Sequence, residues 1–343
     1  MLTPRTNTEL FGHQAAEAEL LRGLSSGAPA HGIIIGGPRG IGKATLAYRF
    51  ARALLASSSP PAGGGNTAAR IAANSHADLL VIEPEYDEKK EEFANEITVG
   101  QARRIPQFMA MTPGEGQWRL VIIDPADALN ASAANALLKI LEEPPPQAVL
   151  LLVSHNPGRL LPTIRSRCRT LRMAPLSTDD FTAAVRHVAP ETENLRALAA
   201  LSACSPGVAL EMGQGALGMY ADLLALLSGL PQLDASKIHA FADTFSGSGV
   251  HMRWRLLRQS VLHLFGRAAR QAAGAPVEPV SGEEAAALRT LVALHPAGVW
   301  AAKWQNAAGQ FSLAEARHLD YKQAFIEFAH TIADKELPAA GGQ

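Results

Sequence analysis

The sequence is poor in cysteine, in aromatic residues and in net charge, and each shortage excludes a class of protein. Of the 343 residues only Cys168 and Cys204 are cysteines, so a disulfide framework is excluded, and neither has the spacing of a zinc ligand set. The formal net charge of −1 argues against a protein that coats nucleic acid or anionic lipid by bulk electrostatics. The longest apolar runs, such as residues 148–153, fall far short of the roughly 18 residues of a membrane span. We therefore expect a soluble, cytoplasmic protein with no membrane partner.

Aliphatic residues, by contrast, are abundant. Hydrophobic residues make up 47% of the chain and aromatic residues only 6%, so the cores must consist mainly of Ala, Leu, Val and Ile, which favours helices and a buried parallel sheet. In the first half, short runs that are apolar at every position alternate with helical patterns, as in an open α/β fold. The predicted strands of this kind are residues 32–35, 79–82, 120–123 and 149–153, and a polar run at 165–169 leads into a last predicted strand at 170–173.

Beyond Pro175 the strand-like runs disappear, and helices are expected throughout. Ser177, Ser281 and Ser312 are each followed three residues later by an acidic residue, a capping-box spacing that predicts a helix start. Residues 272–279, rich in Ala, Gly and Pro, are expected to form a loop within this helical part.

Two stretches of the first half are expected to lie outside the core. Residues 57–70 are rich in Ser, Pro and Gly, a composition that predicts a flexible surface loop. Residues 83–96 are dominated by charge, and we expect a solvated excursion there.

A glycine-rich loop follows the first predicted strand and precedes an amphipathic helix. It contains Gly37, Gly40, Gly42 and Lys43 in the pattern of a phosphate-binding loop. In such a loop the glycines let backbone N–H groups curl around a phosphate, and the helix N-terminus adds its positive dipole. The lysine ammonium reaches the β and γ oxygens. Motif and context together predict a phosphate-binding loop.

The same region lacks parts that a hydrolysing site needs. The pattern ends in a hydroxyl residue that binds Mg²⁺, but here the position is Ala44, and Thr45 lies one residue late, turned by about 100° around the helix. Asp124, at the end of a buried strand, can still bind Mg²⁺. The next residue, a water-polarising glutamate in hydrolysing proteins of this architecture, is Pro125. Asp127 is no obvious replacement, although it could cap the following helix.

That following helix begins at about Ala131 and ends before the proline run at residues 144–146. Its apolar face consists of Ala134, Leu137, Leu138 and Leu141. The last turn carries Glu142 and Glu143, where the helix macrodipole disfavours anions. These acids form a solvated helix end or face the cations of a partner, and both interpretations stay open.

Three segments carry a resemblance to a known family. GGPRGIGKATLAYRFARALL, VIIDPADALNASAANALLKILEEPP and LLVSHNPGRLLPTIRSRC resemble the motifs of AAA+ clamp-loader subunits of bacterial DNA polymerase III, and the match is dense from about residue 11 to residue 173. The resemblance implies an AAA+ P-loop parallel-sheet domain at 1–173, a small helical lid at 174–215, an all-α C-terminal collar domain at 216–336 and a flexible tail at 337–343.

The resemblance also implies roles for single residues. Ser166, Arg167 and Cys168 match the family's SRC segment, whose arginine acts as a finger on the nucleotide of a neighbouring subunit. Ser154 stands where the family senses the γ-phosphate, although it could equally be a strand-end hydrogen bonder. Gly207 replaces a lid arginine of the motor subunits. Ala44 replaces the hydroxyl residue that binds Mg²⁺, and Pro125 replaces the catalytic glutamate. The resemblance therefore implies a subunit that does not hydrolyse ATP itself.

The function that follows as an expectation is a non-hydrolysing clamp-loader subunit of the replicative holoenzyme. It would help load the sliding clamp onto primed DNA, with ATPase motor subunits and a delta subunit as partners, and it would reach the clamp and primer–template DNA through the assembly. Polymerase activity would belong to that assembly. No cofactor is required, ATP, ADP or phosphate would bind weakly at most, and no metal is expected. Many relatives carry a four-cysteine zinc module where residues 57–70 contain no cysteine.

Two alternatives belong to other classes. One is a self-sufficient P-loop ATPase that uses Thr45 and Asp127 as displaced substitutes, and the other is a scaffold in which loop and finger are relics. A cationic stripe around Trp254 could suggest a nucleic-acid contact, but a subunit interface or a solvated face is favoured. The stripe consists of His251, Arg253, Arg255 and Arg258.

Overall fold

The computed structural model divides into two compact units. It describes residues 2–25, 27, 29–57, 67–87, 92–213, 215–247, 249–317 and 319–334. The first unit comprises Met1–Thr192 with Cys204–Val208, and the second comprises Glu193–Ala203 with Ala209–Gln343. The first unit thus runs beyond the boundary expected at residue 173. The division into sheet domain, lid and collar stays a prediction, and its tail lies outside the described residues.

The first unit contains the predicted parallel sheet. Its strands and those of a short hairpin are β1 (Gly32–Gly36), β2 (Leu79–Ile82), β3 (Tyr86–Asp87), β4 (Glu92–Phe93), β5 (Arg119–Ile123), β6 (Ala148–Ser154) and β7 (Arg169–Arg172). The five-stranded sheet has the order β2-β5-β6-β1-β7, and all its pairings are parallel. All five predicted strands are confirmed to within one residue at either end.

The absence of polar alternation in β1 has a clear cause. Ile33 and Ile35 pack into one buried cluster, while Ile34 between them packs into a second cluster on the other face of the sheet. Helices cover both faces there, so successive side chains of β1 are all apolar. In β7, at the edge of the sheet, only Leu171 is buried. The α/β fold class is therefore confirmed for this part of the chain.

Helices make up the rest of the described elements. They are α1 (Gln14–Ser25), α2 (Lys43–Ser57), α3 (Thr67–Ala72), α4 (Val99–Ala102), α5 (Arg104–Ala110), α6 (Ala131–Glu142), α7 (Pro162–Arg165), α8 (Thr178–Val188), α9 (Leu195–Leu201), α10 (Pro206–Met212), α11 (Gly215–Leu227), α12 (Ala235–Asp243), α13 (Val250–Ala272), α14 (Gly282–Leu294), α15 (Ala297–Ala316) and α16 (Tyr321–Ala333). Beyond Pro175 the described residues form helices and no strand, as predicted. None of the described helices combines the length and apolar character that a membrane crossing requires.

Two predicted helix starts are confirmed and one is wrong. The hydroxyls of Ser177 and Ser281 accept hydrogen bonds from backbone N–H groups three residues on, each at 3.1 Å. Ser312, however, lies inside α15. Buried Phe311 and Ala314 on either side of it continue the packed face of that helix, so the capping-box spacing is coincidental there.

The two polar stretches of the first half are only partly irregular. Residues 67–70, expected to be loop, begin α3, because Thr67 and Ile71 are buried and anchor a helical turn. Residues 58–66 of that stretch lie outside the described residues. The charged excursion at 83–96 contains the antiparallel pair β3 and β4, and its residues 88–91 are likewise not described. The loop predicted at 272–279 is confirmed from residue 273 onwards, since α13 ends at Ala272 and α14 begins at Gly282.

A buried charged network connects three helices of the second unit. The carboxylate of Glu284 is fully buried and accepts hydrogen bonds at 2.6 Å from the Tyr220 hydroxyl and from the Val280 N–H. It forms an ion pair with Arg267 at 2.9 Å. Burial acts to raise the pKa of this carboxyl, but its contacts with His263 and Tyr220 and the Arg267 charge outweigh burial and lower the pKa to about 2. The network therefore stabilises the ionised acid.

Replacing Glu284 by Gln should destabilise the second unit, because Arg267 would stay buried without its counter-ion. Loss of one partner of a buried ion pair costs about 3–5 kcal/mol, and we expect a loss of about 3 kcal/mol in the free energy of unfolding, measured by urea denaturation at pH 7. E283Q, at the exposed neighbouring acid, is the matched control and should lose far less.

The same pair of variants gives a pH test. Because the folded pKa is depressed, the Glu284 carboxylate contributes its stability above the unfolded pKa of about 4.3 and loses it as the pH falls towards about 2. The difference between wild type and E284Q should therefore shrink over that window. Equal stability of the two proteins at pH 7 would contradict the assignment.

Candidate functional site

The glycine-rich loop has a backbone that only glycine can supply at key positions. Gly40 and Gly42 have φ of +77° and +103°, in the region that disfavours L side chains. A Cβ at Gly37 would lie 2.3 Å from the carbonyl oxygen of Met173, and one at Gly40 would lie 2.6 Å from the backbone nitrogen of Val208. The loop is therefore packed closely on the backbone around it.

Lys43 begins α2 and is turned onto its own loop. Its Nζ donates hydrogen bonds to the carbonyls of Gly37 at 2.7 Å and Pro38 at 2.5 Å, and the side chain is buried. Burial lowers the pKa of Lys43 to about 8, against the opposing charges of Asp124 and Asp127. The ammonium is thus charged at pH 7. It is hydrogen-bonded to the carbonyls of its own loop, and it would have to leave them to contact a bound phosphate.

The residues present fit a phosphate better than a magnesium ion. The Ala44 methyl offers no ligand, and Thr45, one position later, is buried in α2. Asp124 is the carboxylate directly after β5, and burial together with the nearby charges of Glu83 and Asp127 raises its pKa to about 6 despite the opposing charge of Lys43. The loop itself supplies no accessible hydroxyl to the near-ideal octahedral oxygen coordination that Mg²⁺ demands.

Asp127 has a role that the sequence did not reveal. It accepts hydrogen bonds from the Ser154 hydroxyl at 2.9 Å, from the Asn156 N–H at 3.1 Å and from the His155 N–H. It does not cap the following helix, because Asn130 does so by accepting from the Ala133 N–H. Asp127 therefore ties the chain after β5 to the end of β6.

Ser154 is engaged within the chain. Its side chain is fully buried, and its hydroxyl donates to the Asp127 carboxylate, as the strand-end interpretation expects. Phosphate sensing by Ser154 stays a prediction. In the sequence, the position of Asp127 shortly after a buried strand is the one sign of its contact with Ser154. That spacing does not show that the Asp127 side chain turns towards the end of β6.

Gly207, near the start of α10, packs directly against the glycine-rich loop. Its N–H donates to the Gly40 carbonyl at 2.8 Å, and a Cβ on Gly207 would lie 2.9 Å from the Gly40 Cα. Gly207, which the resemblance aligns with a lid arginine of motor subunits, can hold no side chain here without displacing the loop.

Arg167 lies on the exposed turn between α7 and β7. Its guanidinium contacts the Glu142 carboxylate at 2.8 Å, the Thr163 carbonyl at 3.0 Å and the Ser166 hydroxyl at 3.4 Å. Its side chain is 35% exposed. Ser166 is exposed beside it and donates its own hydroxyl to the Thr163 carbonyl. The SRC segment thus presents a charged fork to solvent.

The sheet separates Arg167 from the phosphate loop of its own chain. β1 and β7 are parallel neighbours, so Arg167, just before β7, lies at the amino edge, where the Sγ of Cys168 would come within 2.9 Å of a Cβ at Gly32. The loop starts at Gly37, beyond the carboxyl end of β1. At about 3.3 Å per residue, the stretch from Gly32 to Gly37 spans about 16 Å. The predicted site residues therefore form two groups at opposite edges of the sheet.

Cys168 packs beneath the turn that carries Arg167. Its thiol is half-buried, and burial raises its pKa to about 12, so it stays protonated at neutral pH. A protonated, packed thiol is a poor nucleophile. Among the described residues, no group of three or more His, Cys, Asp or Glu side chains is arranged to hold a metal ion. The expectation that no zinc is bound stays a prediction.

The cationic stripe of α13 is largely committed to contacts within the second unit. Trp254 at its centre is buried and stacks on Tyr321 with ring centroids 4.6 Å apart, so it offers no platform for a nucleic-acid base. The other contacts are His251 with the Tyr321 hydroxyl, Arg253 with the carbonyls of Thr244 and Ser246, and Arg258 with Glu315. Arg255 is exposed. These contacts favour the predicted solvated face or subunit interface.

A parallel sheet whose β1 leads through a glycine-rich loop to a lysine at the start of α2 defines a P-loop domain, and with the SRC segment it is one of the AAA+ class. Residues 12–177 match the family model described as DNA polymerase III, delta subunit, and over these residues the chain is similar to that family. The predicted resemblance to clamp-loader subunits of the delta-prime type is confirmed by this match and by the relatives that follow.

Relatives named DNA polymerase III subunit delta' cover part of the chain. That of Pseudomonas aeruginosa is 44% identical over 142 residues, 40% of this chain and 42% of the relative. That of Escherichia coli is 32% identical over 201 residues, 57% of this chain and 58% of the relative. The chain spans about half the length of these curated relatives. A DNA polymerase III gamma subunit-related protein of Thermotoga maritima aligns over 93% of this chain and 98% of that chain, with a TM-score of 0.42 and 18% identity.

Substituting Gly207 by Ala should strain the first unit, because the new Cβ would approach the Gly40 Cα to 2.9 Å. Overpacking of this kind costs about 1–3 kcal/mol, measurable as a lower free energy of unfolding. G218A is the control: Gly218 is exposed in α11 with open space around its Cβ position, so alanine should stabilise that helix slightly. A G207A protein as stable as wild type would show that the loop and residues 204–208 are not packed as described.

Proposed function

We propose that the chain is a clamp-loader subunit that supplies Arg167 to a nucleotide held by a neighbouring ATPase subunit and hydrolyses no ATP itself. The relatives named delta' support a place in a clamp loader. The placement of Arg167 carries the proposal: it lies at the edge of the sheet opposite its own phosphate loop, about 16 Å away by strand length. An anion that meets this guanidinium must come from outside its own loop.

The contribution of Arg167 would be electrostatic. Negative charge on the γ-phosphoryl group is spread over three oxygens in the transition state, and a guanidinium placed beside them stabilises that charge. The fork of Arg167 is part-exposed and meets three acceptors of its own chain, so some of its five N–H donors are available to a phosphate.

The chain's own loop supports the second half of the proposal. Its Lys43 ammonium is bonded to loop carbonyls, Ala44 provides no metal ligand, and Pro125 provides no carboxylate. Asp127, the displaced substitute in the self-sufficient ATPase alternative, already accepts three hydrogen bonds from the end of β6. It is therefore poorly placed to polarise a water. The loop would bind ATP, ADP or phosphate weakly at most, with no cofactor required.

The partners that follow are the ATPase motor subunits and the delta subunit of the same loader. The sliding clamp and primer–template DNA would be reached through the assembly, because the chain has no excess of positive charge and its cationic stripe is engaged internally. This assignment also makes any polymerase activity a property of the holoenzyme.

Replacing Arg167 by Ala should slow ATP hydrolysis at the site that it serves. Arginine fingers are worth about 10³–10⁵ in rate, so single-turnover hydrolysis in the reconstituted loader, with clamp and primed DNA, should lose the phase that belongs to that site. R165A is the matched control, since Arg165 is exposed on the same turn and donates instead to the Gly158 carbonyl. Unchanged clamp-dependent hydrolysis with R167A would overturn the finger assignment and favour the scaffold alternative.

The isolated chain should show no Mg²⁺-dependent ATP turnover. The expectation follows from Ala44, which stands where a hydroxyl residue would bind Mg²⁺, and from Pro125, which stands where a glutamate would polarise the attacking water. Phosphate release is measured with the purified full chain under saturating ATP, and an ATPase motor subunit serves as the positive control. Turnover near about one per second, an ordinary enzymatic rate, would instead establish the self-sufficient ATPase.

A further inference from the structure

The contact between Glu142 and Arg167 joins two elements at the amino edge of the sheet. Glu142 is the last residue of α6, and its side chain is 51% exposed. The helix macrodipole disfavours an anion at this end, so the carboxylate gains from a cation placed against it. The cation that it meets is Arg167 of its own chain, at 2.8 Å.

Buried packing beneath the pair fixes the distance between the two elements. Leu141 and Cys168, the residues adjacent in sequence to Glu142 and Arg167, both pack against Gly32 at the start of β1. A Cβ there would lie 3.0 Å from the Leu141 side chain and 2.9 Å from the Cys168 sulfur. The end of α6 and the SRC turn are therefore held together by the core, and the surface pair does not depend on two mobile side chains finding each other.

We propose that Glu142 is the positioning residue of the Arg167 finger, an inference that rests on the function proposed above. An exposed arginine samples many rotamers, and fixing one costs about 2 kcal/mol of conformational entropy. Glu142 and the Thr163 carbonyl hold the guanidinium on two sides, so part of that ordering is complete before a neighbour arrives. The guanidinium is part-exposed, and its remaining donors are left for the incoming phosphate.

The exposure of the pair suits this role. A surface ion pair is weak, so Glu142 can orient the guanidinium without competing strongly against a phosphate of higher charge. A fully buried carboxylate would bind the arginine too tightly for transfer to a new partner. The adjacent Glu143 is exposed at the helix C-cap and provides a comparison at nearly the same place with the same charge.

The test is E142Q in the reconstituted loader, with E143Q as the matched control. E142Q keeps the shape of the side chain and removes its charge, so we expect kcat at the served site to fall about two- to fivefold, the size of an exposed ion pair, with KM unchanged. E143Q should behave as wild type. In the R167A background E142Q should cause no further loss, because it acts only through the arginine.

The outcomes separate the inference from the function beneath it. If R167A abolishes ATP hydrolysis at the served site but E142Q leaves kcat unchanged or raises it, the positioning role of Glu142 is wrong and the finger assignment stands. An E142Q loss that adds to that of R167A would likewise overturn it, as a general structural effect. If R167A itself has no effect, the proposed function fails. As a readout besides activity, ¹⁵N NMR of the Arg167 guanidinium in the isolated full chain should show faster averaging in E142Q than in E143Q.

Discussion

The parallel pairing of β1 with β6 on one side and β7 on the other determines where every candidate residue lies. Because these strands run in the same direction, everything that follows a strand gathers at one edge and everything that precedes a strand gathers at the other. The phosphate loop after β1 and Ser154 at the end of β6 lie at the carboxyl edge. Arg167, before β7, lies at the amino edge, beside the end of α6. The phosphate loop and Arg167 belong to the same domain, but they are separated by the length of a strand.

Such a division suits a protein that acts on a neighbour. Because the phosphate loop and Arg167 lie at opposite edges of one sheet, they cannot contact the same nucleotide within one chain. Under the proposed function, Arg167 would meet a nucleotide held by a neighbouring subunit. The chain has kept one edge equipped with a charged, part-exposed guanidinium. At the other edge the Lys43 ammonium is hydrogen-bonded to the carbonyls of its own loop, and Asp127 accepts hydrogen bonds from the end of β6.

The strands and most helix starts were predictable from the sequence, but several side-chain contacts were not. The strands were predictable because residues buried on both faces leave an unbroken apolar run, as in Ile33 to Ile35. The helix starts at Ser177 and Ser281 followed from local capping. Ser312 misled because a capping spacing is local, whereas the packing of Phe311 through α15 is not. The roles of Asp127 and Glu142 depend on contacts between segments distant in the chain, and no spacing within one segment encodes them.

The close approach of Gly40 to Gly207 changes how the glycine pattern of this chain should be understood. A side chain at a phosphate-loop glycine is usually expected to impair phosphate binding, because backbone N–H groups must approach the phosphate closely. Here a side chain at either position would first collide with opposing backbone, so its cost would appear as misfolded protein and lower abundance in the cell, whether or not ATP ever enters the loop. The glycine pattern of a phosphate loop can thus be required by backbone packing as well as by nucleotide binding.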